Sequence, residues 1–211
     1  IFENVRGLLS ARWTKNGAKG EIFKDVLKQF SKLKNYNYDY SLVQSKDYGV
    51  PQNRPRVLVI GIRKDIKSRI NKEDLFPNKD KSYPHLEELF SDLIDKNYNK
   101  DFVTNSYLSD PKTKIQRTLR TRKNKNSFLS KGDKLTDQEY SNHSPNIVKK
   151  FKSMLDNDGV IKDKFKTKKF AQRLLNKRWN GKGPNITATS LPDDYVHYSQ
   201  PRTLTVREWA R

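Results

Sequence analysis

Residues 44–63 constrain this chain more than any other stretch. A polar turn leads through Arg54 and Arg56 directly into an apolar run over residues 57–62. The length and β-branched content of that run predict a buried strand. Two guanidinium groups at the rigid start of such a strand suit an anionic or carbonyl-rich ligand that must be met in a fixed geometry. On these residues alone, a solvated strand end that is merely basic stays open as the alternative.

The residues before this stretch predict the neighbours of the strand. From Glu21 to about residue 34, apolar side chains recur every three or four positions, which predicts an amphipathic helix. Residues 36–42 alternate between apolar and polar side chains, as a strand does, and the turn over 49–55 would join them to 57–62 as an antiparallel pair. The order strand end, helix, strand, strand predicts half of an α/β sheet.

The second half of the chain predicts a separate, more basic region. We place a domain boundary within the polar and lysine-rich residues 64–83. Apolar spacing predicts short helices over residues 85–94 and 146–155. Thr205 and Glu208 have the spacing of a capping box, so a further helix is expected to begin at Val206.

The charge of the chain indicates a polyanionic partner. Its net charge is +20, from 44 basic and 24 acidic residues, and the lysines are spread along the whole chain. Nucleic acid is the first candidate, and a generally lysine-rich surface is the alternative. A membrane is not expected, because no apolar run approaches the roughly 20 residues of a membrane span. The chain has no cysteine, which excludes disulfides and thiolate metal sites, and we expect no metal site.

Three short stretches, in this order, resemble the sixth, eighth and ninth sequence motifs of the DNA cytosine-5 methyltransferases. They are Glu3-Asn4-Val5, Gln52-Asn53-Arg54-Pro55-Arg56 and Arg202-Thr203-Leu204-Thr205-Val206-Arg207-Glu208. The resemblance implies an α/β fold with part of a Rossmann-like sheet, as in the S-adenosylmethionine-dependent methyltransferases, over residues 1–67. A smaller α+β target-recognition domain would occupy residues 68–198, and residues 199–211 would begin the helix of the ninth motif.

The resemblance also assigns roles to individual residues. In the family, a cysteine thiolate adds to carbon 6 of a flipped cytosine, and carbon 5 then takes a methyl group from S-adenosylmethionine. Glu3 would contact N3 and the exocyclic amine of the base, Arg56 its O2, and Arg54 the same site. Asn4 would brace the loop that bears the nucleophile, with Gln52 as structural support. Without the neighbouring motifs, Glu3 would be a strand-end acid in a salt bridge.

The basic insert between the second and third stretches is expected to contact DNA phosphates. We assign these contacts to basic side chains of the two most basic segments and to a threonine that loosely matches a phosphate-contacting residue of the family: Arg117, Arg120, Arg122, Lys168, Lys169 and Thr187. Arg202, Arg207 and Glu208 would organise the recognition domain against the catalytic one.

The departures from the family pattern lead to further expectations. The glycine-rich cofactor motif, the cysteine nucleophile and the last motif are not in this sequence. We therefore expect part of a larger prokaryotic enzyme, inactive alone, that acts on double-stranded DNA in a restriction-modification system and is cytoplasmic and nucleoid-associated. S-adenosylmethionine would be bound mainly by segments absent from this chain, which are cut off, unobserved or on a complementing polypeptide. A non-catalytic DNA-binding specificity subunit and a relative that acts on RNA cytosine are the alternatives.

Overall fold

A computed structural model of the chain describes residues 1–66, 75–76, 78–80, 84–122, 127–167, 171–178, 184–185 and 194–211. The chain divides into two compact units, Ile1–Tyr83 and Pro84–Arg211. Residues 199–211, which the sequence set apart as a third segment, lie within the second unit.

The first unit contains one sheet and one helix of regular length, and the second is built mainly of short elements. In chain order the elements are β1 (Phe2–Val5), α1 (Glu21–Ser31), β2 (Tyr36–Gln44), β3 (Pro55–Arg63), α2 (Leu86–Phe90), α3 (Tyr98–Asp101), α4 (Lys114–Leu119), α5 (Pro145–Leu155), β4 (Arg173–Leu174), β5 (Tyr195–Val196) and α6 (Val206–Trp209). The described residues therefore form a mixed α/β protein with small sheets.

Strand β3 is the centre of the first unit. The sheet has the order β1-β3-β2, and β3 is antiparallel to both neighbours. The predicted strand over 57–62 and its antiparallel pairing with the preceding strand are thus confirmed. The burial of Val57 and Val59 alternates with partly exposed residues along β3, because successive side chains of a strand point to opposite faces of the sheet.

Helix α1 covers the face of the sheet on which Val57 and Val59 lie. Its buried Phe23 packs against these two valines, with Leu27 and Phe30 at the edge of the cluster. The helix ends at Ser31, so the predicted helix is confirmed with a slightly earlier end. The opposite face of the sheet has no covering helix among the described residues of this unit, and it carries Arg56.

The core of the second unit consists of several small apolar clusters. One joins α2 to the C-terminal segment through Leu86, Leu89, Phe90, Leu175, Tyr195, Tyr198 and Leu204. Helix α5 adds another cluster through Phe151 and Met154. The predicted helix over 146–155 is confirmed, as is the helix that begins at Val206.

Helix α2 is shorter than predicted. It ends at Phe90, whereas the apolar spacing predicted a helix through residue 94. After Phe90 the backbone tightens into a turn in which the Leu93 N–H donates to the Phe90 carbonyl. The buried Asp92 in this turn binds Arg120 and Arg211, and this side-chain pairing replaces the last helical turn.

Candidate active site

Strands β1 and β2 of the first unit end, and strand β3 begins, at the same edge of the sheet. Val5 at the end of β1 lies opposite Arg56, and Gln44 at the end of β2 lies opposite Pro55 at the start of β3. Since β1 and β2 are both antiparallel to β3, they run in the same direction and both finish at this edge. Arg56 lies at this edge, and Glu3 is two residues before the end of β1, so this edge is the candidate site.

Two of the predicted catalytic side chains form an ion pair at this edge. Arg56 Nε lies 2.6 Å from Glu3 Oε1. Glu3 lies opposite Leu58, and Arg56 opposite Val5, so both side chains project from the face of the sheet away from α1. The Glu3 side chain is 54% exposed and that of Arg56 is 22% exposed. The carboxylate is therefore accessible to a ligand, while the guanidinium is held more firmly by its surroundings.

The turn before β3 is fastened by Ser45, which the sequence did not single out. The Ser45 hydroxyl donates to the Gln52 carbonyl at 2.7 Å and accepts from the Arg54 N–H at 3.2 Å. The Ser45 N–H also donates to the Arg54 carbonyl at 3.3 Å. These contacts fix the backbone of two predicted site residues, Gln52 and Arg54, beside the start of β3.

Asn4 lies on the other face of β1 from Glu3. It is opposite Val57 in the register, and its side-chain Oδ1 accepts from the Val5 N–H at 2.8 Å. The structure therefore brings Glu3 and Arg56 into contact, and it does not bring the Asn4 side chain to the same face.

In the second unit, the residues of the third predicted stretch form a buried network. Arg202 donates to both carboxylate oxygens of Glu208, at 2.8 and 2.6 Å, and also to the side chain of Gln200. The Glu208 N–H donates to the Thr205 hydroxyl, and Glu208 Oε2 accepts from the Thr205 N–H, which completes the predicted capping box. Arg207 instead lies at the surface, where it binds Asp137 at 3.0 Å.

Burial changes the titration of two groups in this network. Burial by itself would raise the pKa of Glu208, but the charge and hydrogen bonds of Arg202 outweigh it and hold that pKa at about 2. Burial lowers the pKa of His197 to about 3, and the carboxylate of Glu208, 3.7 Å away, opposes this only in part. Both groups therefore keep their neutral-pH charge states in the fold: an anionic Glu208 and a neutral His197.

Acid is expected to destabilise the second unit in two stages. Below pH 6.5 the unfolded chain protonates His197, whereas the folded chain keeps it neutral until about pH 3. The unfolded state then binds more protons, so the free energy of unfolding should fall by up to about 1.4 kcal/mol for each unit of decreasing pH. From pH 4.5 down to about 2, protonation of Glu208 should add a second loss.

Urea unfolding as a function of pH measures both stages. His197→Gln, which cannot ionise, should abolish the decrease between pH 6.5 and 4.5 and retain the later one. A variant that still loses stability in that first interval, with a normal free energy of unfolding at pH 8, would show that another group causes the decrease.

The predicted DNA-contacting residues fall into three groups. Arg117 and Arg122 are exposed in and after α4. Arg120 is completely buried, where its guanidinium lies 2.5 Å from Asp92 Oδ2 and 3.7 Å from the centre of the Tyr107 ring. The prediction that Arg120 contacts DNA is therefore wrong, because the side chain has no accessible surface. Lys168, Lys169 and Thr187 lie outside the described residues.

An open cleft of about 360 Å³ in the second unit is a further feature that the sequence did not indicate. Its described lining includes the aromatic rings of Tyr98 and Phe102, the imidazole of His143 and two lysines of α5, Lys149 and Lys152. None of the described lining residues is acidic. The lining would favour an anionic ligand, which agrees with the net charge of the chain.

Asp92 is the functional candidate that sequence reasoning missed most clearly. Its side chain is fully buried and faces two arginines, Arg120 and Arg211. The sequence did contain one indication of this site: Asp92 stands next to the apolar Leu93 in a predicted amphipathic helix. If an acid at such a position is buried, it requires a charged partner.

The described part of the chain shows neither a membrane span nor a metal-binding cluster. It has no helix with both the length and the apolar character needed to cross a membrane. In the same residues, no group of three or more histidine, cysteine, aspartate or glutamate side chains is placed to hold a metal ion.

The first unit is thus an α/β domain with a carboxylate and a guanidinium paired at the carboxyl edge of its sheet. The chain belongs to the C-5 cytosine-specific DNA methylase family, whose model matches residues 1–211. The family was expected from the three short stretches, and that expectation is confirmed.

Individual relatives match parts of the chain. It is 39% identical over 95 residues to the type II methyltransferase M.FnuDI of Fusobacterium nucleatum, a match that covers 45% of this chain and 25% of that protein. It is 33% identical over 96 residues to M.BspRI of Lysinibacillus sphaericus, covering 44% and 21%. The orphan methyltransferase M.SPBetaI of Bacillus phage SPbeta is 28% identical over 139 residues, covering 54% and 28%. The chain therefore spans about a quarter of the length of these curated relatives.

A solved structure shares the fold over most of the chain. It is the crystal structure of a candidate DNA modification methyltransferase encoded within an E. coli prophage, with a TM-score of 0.57 and 19% identity. The match covers 99% of this chain and 56% of that one.

Proposed function

We propose that this chain is part of a DNA cytosine-5 methyltransferase, which flips a target cytosine and methylates its carbon 5 with S-adenosylmethionine in a restriction-modification system. The observation that carries the proposal is the contact between Glu3 and Arg56 at the carboxyl edge of the sheet. A cytosine ring displays N3, an exocyclic amine and O2 along one edge. A carboxyl group and a guanidinium on the same face of the sheet match those groups, because the carboxyl group accepts from the amine and shares a proton with N3, and the guanidinium donates to O2.

The two side chains would have different tasks. Glu3 is the more exposed of the pair, so it can turn from Arg56 toward the base. Arg56 also donates through Nη1 to the Pro55 carbonyl at 2.8 Å, which holds its guanidinium at the start of β3. It would therefore act as the fixed donor, with Arg54 beside it. The base must leave the DNA stack to reach either group.

Two parts of the reaction have no assigned residues in this chain. The glycine-rich cofactor motif of the family is not in the sequence. The chain also has no cysteine with which to attack carbon 6. We infer that the donor site and the thiolate belong to segments outside these 211 residues, on the same or a complementing polypeptide, and that the chain alone transfers no methyl group.

The second unit would bind the double-stranded DNA. Its exposed Arg117 and Arg122, with the lysines of the cleft, can neutralise phosphates. Lys168, Lys169 and Thr187 remain proposed contacts from the sequence. The network of Arg202, Glu208 and Gln200 would serve as architecture, since its charges are satisfied internally.

A non-catalytic specificity subunit is the second candidate, because the exposed basic residues of the second unit would be sufficient for DNA binding. Transfer of a tritiated methyl group from S-adenosylmethionine separates the two. The full-length natural protein should label cytosine in duplex DNA and not in structured RNA. Tight DNA binding without label, even after addition of proteins encoded beside it, would establish the specificity subunit instead, and label in RNA alone would exclude both.

A further inference from the structure

The carboxylate of Asp92 joins two arginines that are far apart in the sequence. Arg120 Nε donates to Asp92 Oδ2 at 2.8 Å, and Arg211 Nη1 donates to Asp92 Oδ1 at 2.5 Å. The side chains of Asp92 and Arg120 are fully buried, and that of Arg211 is 4% exposed. This buried cluster connects the turn after α2, the end of α4 and the segment after α6.

The Arg120 side chain also forms hydrogen bonds with the backbone before and after α4. Its Nη1 donates to the carbonyl of Ser109 at 2.8 Å and to that of Leu129 at 3.2 Å. The Leu129 N–H in turn donates to the Arg120 carbonyl at 2.9 Å. Leu129 is thus tied to Arg120 through both its N–H and its carbonyl.

Between Arg120 and Leu129 the chain forms the stem of a hairpin. Thr121 pairs with Phe128 in an antiparallel bridge, and the Arg122 N–H donates to the Ser127 carbonyl at 2.8 Å. Residues 123–126 lie outside the described residues. The contacts of Arg120 therefore close the base of this stem.

The stem holds two exposed arginines in defined places. The guanidinium of Arg117 lies 6.0 Å from the centre of the Phe128 ring. Arg122 binds Asp133 at 2.8 Å and keeps a 44% exposed side chain, so part of its guanidinium still faces solvent. A guanidinium that is fixed before binding loses less conformational entropy when it meets a phosphate.

We propose that Asp92 and Arg120 are positioning residues that hold Arg117 and Arg122 for contact with DNA phosphates. A buried ionic cluster contributes little net stability relative to well-packed apolar side chains, so stability alone does not account for it. The cluster instead gives the hairpin stem one orientation. This inference rests on the proposed function, because it takes DNA as the partner of the second unit.

The test is the salt dependence of DNA binding by the full-length protein, measured with a labelled duplex of mixed sequence at several sodium chloride concentrations. Affinity falls as salt rises, so the slope of log affinity against log salt is negative. The combined Arg117→Ala and Arg122→Ala variant should lower the magnitude of this slope by about 2, one for each lost phosphate contact. Arg120→Lys keeps a cation beside Asp92 but loses the forked reach to Leu129. It should lower the magnitude of the slope by more than about 1 and weaken binding roughly tenfold, with no further change in the double-alanine background.

A control separates positioning from general loss of stability. Glu208→Gln breaks the buried ion pair with Arg202, whose described contacts do not include the hairpin stem, and it should keep the wild-type slope. Asp92→Asn, where it folds, should behave as Arg120→Lys does.

A wild-type slope for Arg120→Lys, with a lowered slope for the double-alanine variant, would overturn the positioning role alone. An unchanged slope in the double-alanine variant would show that the proposed DNA contacts themselves are wrong, and a lowered slope in Glu208→Gln would assign the effect to instability.

Discussion

Replacing Arg56 with alanine is expected to lower the rate of methyl transfer by the full-length protein by about 100-fold or more. The guanidinium is partly buried at the start of β3, fixed by the Pro55 carbonyl and paired with Glu3. Its loss would remove a fixed donor to the base and leave the Glu3 carboxylate without the partner that orients it. Both effects act on the bound, flipped base, so DNA affinity should change by less than about threefold.

Single-turnover methylation and DNA titration measure the two quantities separately. Arg63→Ala is the matched control, because Arg63 lies at the other end of β3, where its side chain forms an exposed ion pair with Asp65. It should leave the methylation rate near that of the wild type. If Arg56→Ala lowered binding and turnover together, Arg56 would belong to the DNA-binding surface and its catalytic assignment would be wrong.

The second large effect is expected for Glu208→Gln, which should lower the free energy of unfolding of the second unit by about 3–5 kcal/mol. The Glu208 carboxylate is fully buried and accepts from both terminal nitrogens of Arg202. Without its charge, Arg202 would stay buried with no compensating anion. The capping of α6 should be kept, because a glutamine oxygen can also accept from the Thr205 N–H.

Urea unfolding of the variant and its neighbour tests this expectation. Arg207→Ala alters the adjacent residue of α6, whose ion pair with Asp137 is partly exposed, and it should cost about 1 kcal/mol or less. Equal losses in the two variants would show that the buried pair contributes no more than the surface one.

Much of the local structure of this chain could be predicted from its sequence. The apolar run over 57–62 predicted the central strand, and the spacing after Glu21 predicted α1, because each pattern reports on one face of one element. The Thr205 and Glu208 spacing predicted the start of α6 for the same reason: the capping bonds join residues only three positions apart. The order of three short stretches also indicated the family.

The sequence was least informative about charged side chains. Arg117, Arg120 and Arg122 were equivalent by residue type and segment, yet Arg120 is buried with Asp92 while the other two are exposed. The premature end of α2 has the same cause, since Asp92 turns to arginines that lie 28 and 119 positions away in the chain. No pattern in the nearby sequence indicates partners that lie so far away in the chain.

The sequence by itself determined the central strands β2 and β3, the helices α1 and α5, the start of α6, the three motifs and the excess of positive charge. Only the tertiary structure decided that Glu3 and Arg56 are in contact and that Arg120 is buried. It also decided that Ser45 holds the turn between β2 and β3. Periodicity and capping depend on residues a few positions apart, whereas strand register and the burial of charge depend on which distant segments pack together. The positions of these charged groups therefore follow from packing.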